Sequence, residues 1–211
     1  MRRWFNRGLR SQMPALACFM VLVTGFAAAF DYPLQPEVVE EAYSLGRSSN
    51  HEELTNFLKP YTHVFEYPVD HPIAYVQSVE FETPYEQIVL KSMRAAQYDK
   101  FKAAEDYQAG HGAVFVRVVV ALRMNYSGSE PAADGFQVSV SQKKPLDPAT
   151  MTTRVLCNPY SVTDWGVCSV YTREILLRFD HHEFGPGKVT VTVLLPEDKS
   201  AETKFDLDRL R

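Results

Sequence analysis

The spacing of apolar positions along the chain changes once, near residue 112. Before that point apolar residues recur at helical intervals, and after it they alternate with polar ones. In PEVVEEAYSLG, Val38, Val39, Ala42, Tyr43 and Leu45 form the helical stripe. Pro36 suits its first position and Gly46 can close its end. Asn50 and Glu53 make a capping-box pattern at the start of NHEELTNFL, whose Leu54, Phe57 and Leu58 form a short stripe before Pro60 ends it. The two segments predict a helical hairpin. Residues 73–82, IAYVQSVEFE, alternate as one strand. Thr83, Pro84 and Glu86 then supply a cap, a first-turn proline and a capping-box glutamate for a helix from about 84 to 97. DKFKAAEDYQAG reads as a further helix stopped by Gly110.

From Ala113 onward seven segments read as strands: AVFVRVVVALRM, GFQVSVSQ, MTTRVLC, GVCSVYT, REILLRFD, KVTVTVLLP and TKFDLDRL. They are rich in Val, Phe, Tyr and Thr, and Gly, Pro, Asn and Asp separate them. Short connections imply antiparallel pairing. The fold class expected is therefore α+β, with N-terminal helices followed by an antiparallel β-sandwich of about seven strands, for which an immunoglobulin-like architecture is one arrangement. The expected division is a segment 1–29, a mainly helical region 30–111 and a sandwich 112–211.

The first thirty residues differ in kind from the rest. Arg2, Arg3, Arg7 and Arg10 precede MPALACFMVLVTGFAAAF, which ends in Ala27-Ala28-Ala29. This is the pattern of a secretory signal, with Phe30 as the expected mature N-terminus and a periplasmic or extracellular destination. An uncleaved N-terminal anchor is the alternative, since the apolar run approaches the length of a membrane-spanning helix. Around Cys18 the match to a lipidation pattern is poor.

Composition sharpens this picture. With 45% hydrophobic residues, the 211-residue chain can bury a core. Its formal charge of -4 becomes -8 once the four leading arginines are removed, because residues 1–29 hold no acid. Only Lys143-Lys144 clusters positive charge, which argues against nucleic acid as a partner. Membrane contact is expected only if the N-terminal segment is retained. Beyond that segment two cysteines remain, Cys157 and Cys168, and an even count in an exported chain favours a disulfide over two free thiols. Zinc lacks a second ligand pair near them.

The densest cluster of chemically capable residues is in FDHHEFGPGK, residues 179–188. Continued strand periodicity would place Asp180 and His182 on one face and His181 and Glu183 on the other. Asp180 and His182 are then the metal-ligand candidates, too few for a zinc site without help from residues such as His71 or His111. Gly185-Pro186-Gly187 is a turn signal. HEELT, residues 51–55, lacks the second histidine of a metalloprotease helix, and no G-x-S-x-G or glycine-rich phosphate loop occurs. Ser141 and Lys144 match S-x-x-K at a strand end, where a serine acyl enzyme would need a helix start. Carboxylate pairs such as Glu40-Glu41 and Glu80 with Glu82 read as a solvated acidic surface. Asn125-Tyr126-Ser127 matches a glycosylation acceptor. Tyr160, Trp165 and Tyr171, near the cysteines, are candidates for an aromatic contact surface, with core packing as the plainer role.

Phe30-Asp31-Tyr32-Pro33-Leu34, Glu41-Ala42-Tyr43-Ser44-Leu45-Gly46 and Thr83-Pro84-Tyr85 together resemble a family of uncharacterised exported bacterial proteins, over residues 30–97. The resemblance implies export and carries no activity and no site residue. The function expected is thus a non-catalytic binding or assembly protein of the envelope or extracellular space, acting on a protein or envelope component and needing no cofactor. Two alternatives stand beside it: a metal-assisted hydrolase built on Asp180 and His182, and a carrier of a small ligand or lipid.

Overall fold

The structure is a computed structural model that describes residues 30, 32–69, 73–110, 112–123, 135–157, 162, 168, 170–196 and 199–211. The helices are α1 (Pro36–Gly46), α2 (His51–Leu58), α3 (Pro84–Arg94) and α4 (Lys100–Gly110). The strands are β1 (Thr62–Val64), β2 (Ala74–Glu82), β3 (Val114–Arg123), β4 (Gln137–Gln142), β5 (Lys144–Leu146), β6 (Thr150–Cys157), β7 (Val170–Phe179), β8 (Lys188–Leu194) and β9 (Ser200–Asp206). All pairings are antiparallel, in a five-stranded sheet of order β1-β2-β3-β7-β6 and a four-stranded sheet of order β5-β4-β8-β9. The fold is α+β.

The local signals explain most of these boundaries. Asn50 accepts from the Glu53 amide at the start of α2, and Thr83 accepts from the Glu86 amide at the start of α3, each filling an otherwise orphaned donor. α3 stops at Arg94, three residues short of the expected end. Nine strands among the described residues stand against eight read from the sequence, one at 73–82 and seven after residue 112. GVCSVYT and REILLRFD are joined in the single strand β7, while the three-residue strands β1 and β5 carry too little periodicity to be read. Ser141 and Lys144 lie in the β4–β5 hairpin, with Lys143 at φ 60° in its turn, so the S-x-x-K match is a bend between strands.

Inward-facing residues of both sheets meet in one apolar cluster. Val79, Phe81, Val116, Val118, Val120, Ile175 and Leu177 come from the five-stranded sheet, and Val140, Val189, Val191, Val193 and Phe205 from the other. Burying each such side chain is worth about 1.5–3 kcal/mol against leaving it in water. Val76 and Val79 are both buried although three residues apart, because the β2–β3 register shifts between Val76 and Ser78. That bulge returns the apolar set to the inner face and puts Glu80 and Glu82 on the opposite face, where Glu82 is buried and not part of a solvated surface.

The helices own a second cluster of Leu34, Val39, Ala42, Leu54, Tyr85, Ile88, Val89, Tyr98 and Ala103, and Phe57 packs against both clusters. α1 and α3 approach so closely at Gly46 that a Cβ there would lie 2.0 Å from Ser92 Oγ and 2.3 Å from the Val89 carbonyl oxygen. Arg211 ties the layers together. Its guanidinium pairs with Glu41 of α1 at 2.7 Å and lies 4.7 Å from the centre of the Tyr85 ring, while its backbone bonds to Tyr61 and Thr83. The division at residue 112 does not separate two folding units, since β2 pairs with β3 over eight positions.

Candidate functional site

The segment after β7 does not continue as a strand. Phe179 is the last strand residue, and His181–Glu183 form a single 3-10 turn capped by Asp180, which accepts from the His182 amide at 3.0 Å. Glu183 completes a capping box by accepting from the Asp180 amide. This overturns the expectation that Asp180 and His182 share one face while His181 points away. A cap followed by a tight helical turn brings all three donor groups together, within 4.8 Å of one another. The two imidazole centres lie 3.6 Å apart, and the Tyr32 ring covers His181 at 3.5 Å. Burial, and then the neighbouring His182, holds the His181 pKa below its ordinary value, with Asp180 opposing.

The other expected site residues separate. Cys157 and Cys168 form a disulfide with a Cα–Cα distance of 5.9 Å, joining the end of β6 to the approach to β7. Tyr171 is half-buried on β7 and packs against the shared apolar cluster. Tyr160, Trp165, His71, His111, Asn125 and the 1–29 segment lie outside the described residues. No described helix is long and apolar enough to cross a membrane.

Sequence reasoning missed a cleft of about 440 Å³ between α3 and the outer face of the five-stranded sheet. Its floor is Phe115 and Arg117 of β3 with Leu176 of β7, and its wall is Leu90, Lys91 and Arg94 of α3. Tyr98 closes one end, on the loop between α3 and α4. That loop is fixed by Arg47, whose guanidinium donates to the carbonyls of Ala95, Ala96 and Tyr98 at 2.6, 3.1 and 2.7 Å. A second hollow of about 270 Å³, lined by Thr152, Arg154 and Glu174, shares Arg117 and Leu176 with the first.

Most charge here is internally matched. Arg117 pairs with Glu82 at 2.7 Å and with Glu80 at 3.6 Å, and Lys91 pairs with Asp106 at 3.1 Å. Burial pushes the Glu82 carboxyl above its usual pKa against the pull of Arg117. One group is not matched. The Tyr98 hydroxyl is buried and has no hydrogen-bond partner, and burial together with the charge of Asp106 raises its pKa to about 12, so it stays a neutral donor. Arg94 makes no hydrogen bond or close ion pair with another described residue, but its charge acts on Glu82 and Glu86 and opposes the rise of their pKa values. The arrangement suits a small molecule with an apolar body for Leu90, Phe115 and Leu176 and a hydrogen-bond-accepting end for Tyr98 and Arg94. One sequence signal bore on it: Arg117 is a lone charge inside the apolar run AVFVRVVVAL.

Compared with known proteins, the chain matches no protein-family model and no curated sequence.

Proposed function

We propose that the protein is an exported, non-catalytic binding protein whose cleft between α3 and the sheet receives a small amphipathic molecule. The observation that carries this reading is the cleft itself, about 440 Å³, which joins apolar lining from Leu90, Phe115 and Leu176 to Tyr98, whose hydroxyl has no partner. A buried donor without a partner is costly, and a ligand acceptor would relieve it. The internal pairing of Arg117 with Glu80 and Glu82 favours holding over turnover, because those charges are already committed to one another. Export is supported by the arginine-led apolar run, the disulfide and the resemblance over residues 30–97. The scaffold is read as a sandwich because both sheets contribute to one apolar cluster.

Octanoate and decanoate are suitable first probes, offering a carboxylate and an apolar chain. Both should raise the melting temperature of the protein and appear as retained mass in native mass spectrometry. Leu176→Trp fills the cleft from a half-buried position and should abolish both effects, while Tyr98→Phe should weaken binding about three- to tenfold. Binding that survives Leu176→Trp unchanged would refute the cleft as the site. N-terminal sequencing of the envelope fraction tests export, with Phe30 as the expected first residue.

A further inference from the structure

We infer that Asp180, His181 and His182, none of which lines the cleft, form a binding site for one divalent transition ion of the zinc, nickel or copper kind. The site begins with His181. Its side chain is only 10% exposed, and neither ring nitrogen has a hydrogen-bond partner. Nδ1 lies 3.2 Å from Asp180 Oδ1, close enough for charge contact but without the alignment of a hydrogen bond. A buried imidazole with both nitrogens unsatisfied calls for a partner. The Tyr32 ring, tilted by 42° with its centre 3.5 Å from that of His181, packs against the imidazole and leaves its nitrogens as the groups to be satisfied.

The neighbours supply the rest of a donor set. Asp180 and His182 offer a carboxylate oxygen and a second imidazole within 4.8 Å of the first. Bound donors on one ion must lie closer, about 3–3.5 Å apart at ordinary metal–ligand lengths of about 2.0–2.2 Å. The required closure falls mainly on His182, which is exposed, because Asp180 is held by its cap with Oδ1 already 3.2 Å from His181 Nδ1. The capping box holds the backbone of all three residues through the bonds from the His182 amide to Asp180 and from the Asp180 amide to Glu183. Asp180 caps through Oδ1, so Oδ2 remains for an ion.

Two imidazole nitrogens and one carboxylate oxygen select borderline transition ions over calcium or magnesium, which take oxygen ligands. Three donors from consecutive residues leave the remaining coordination positions to water on the exposed side.

The test uses tag-free protein, since a polyhistidine tag would mask the site. Calorimetric titration with zinc chloride should show one ion per chain, and cobalt(II) should give visible absorption bands on binding. Asp180→Asn retains a good helix cap, and His182 is exposed, so Asp180→Asn and His182→Ala should both stay folded. Each should lower zinc affinity by about tenfold or more with the metal-free melting temperature little changed. His51→Ala, an exposed histidine on α2, should bind zinc as the parent does. Zinc binding unchanged in both Asp180→Asn and His182→Ala, or absence of zinc heat and cobalt bands with metal in excess, would overturn the site.

Discussion

Glu86 lies at the third position of α3 with its residue surface only 2% exposed and one carboxylate oxygen unpartnered. Burial pushes its pKa well above the usual carboxylate range, and the charges of Glu82 and Glu80 add to that. A carboxyl whose pKa is raised on folding stabilises the native state below its unfolded value near 4.5 and loses that contribution as pH rises through the folded value. Glu86→Gln should therefore be more stable than the parent at neutral pH, by about 1 kcal/mol or more. The gap should close as pH falls toward 4.5, and melting temperatures of both proteins across that range check it; parallel curves would contradict the assignment. At this scale the sequence was a partial guide. Thr83 was legible as a cap, but the Glu86 carboxylate does not close the expected capping box and is buried instead; burial of a carboxylate is a property of what packs over it, and no local pattern announces that. Arg117 was visible as a charge in an apolar strand, whereas Tyr98 and Leu176 reach the same cleft from distant parts of the chain.

Secondary-structure elements were legible where a long period or a cap defined them. α1, α2 and the starts of α3 and β3 follow from spacing and capping chemistry. The segment at 180–183 was misread because strand periodicity was extended four residues past Phe179: Asp180 ends the strand by capping a turn, and a cap changes side-chain directions at once. Gly46 does end α1, as its spacing suggests, but without a left-handed cap, since Arg47 after it stays in right-handed geometry; Gly46 also marks the close crossing of α1 and α3. Gly46→Ala should accordingly destabilise the protein by about 1–3 kcal/mol, although alanine favours helix formation. Urea unfolding measures this, and a neutral or stabilising result would show that the helices separate easily. The β2 bulge had no sequence marker of its own, since only pairing with β3 reveals it.

Across the whole molecule, two ties hold elements together at opposite ends. The Cys157–Cys168 bridge closes a loop of sequence separation 11 between neighbouring strands β6 and β7. Replacing both cysteines by serine should cost about 3 kcal/mol in urea unfolding, and reductant should do the same to the parent. Arg211 joins α1, Tyr85 and the layer beneath them. Arg211→Ala should cost about 1 kcal/mol, since the Glu41 pair is solvent-exposed and the ring contact is partly so. Fold class was legible as a whole because helical and alternating periods segregate along the chain. The joining of the two regions was not, because strand pairing depends on partners far apart in sequence.

That joining sets how the protein can be divided. β3 takes β2 on one flank and β7 on the other, so a cut between Gly112 and Val114 leaves each fragment with a raw strand edge and half of an apolar surface. Neither piece should fold alone. Produced together, they should find each other through the eight β2–β3 positions and restore the intact molecule, making this a natural breakpoint for a split reporter rather than a border between domains.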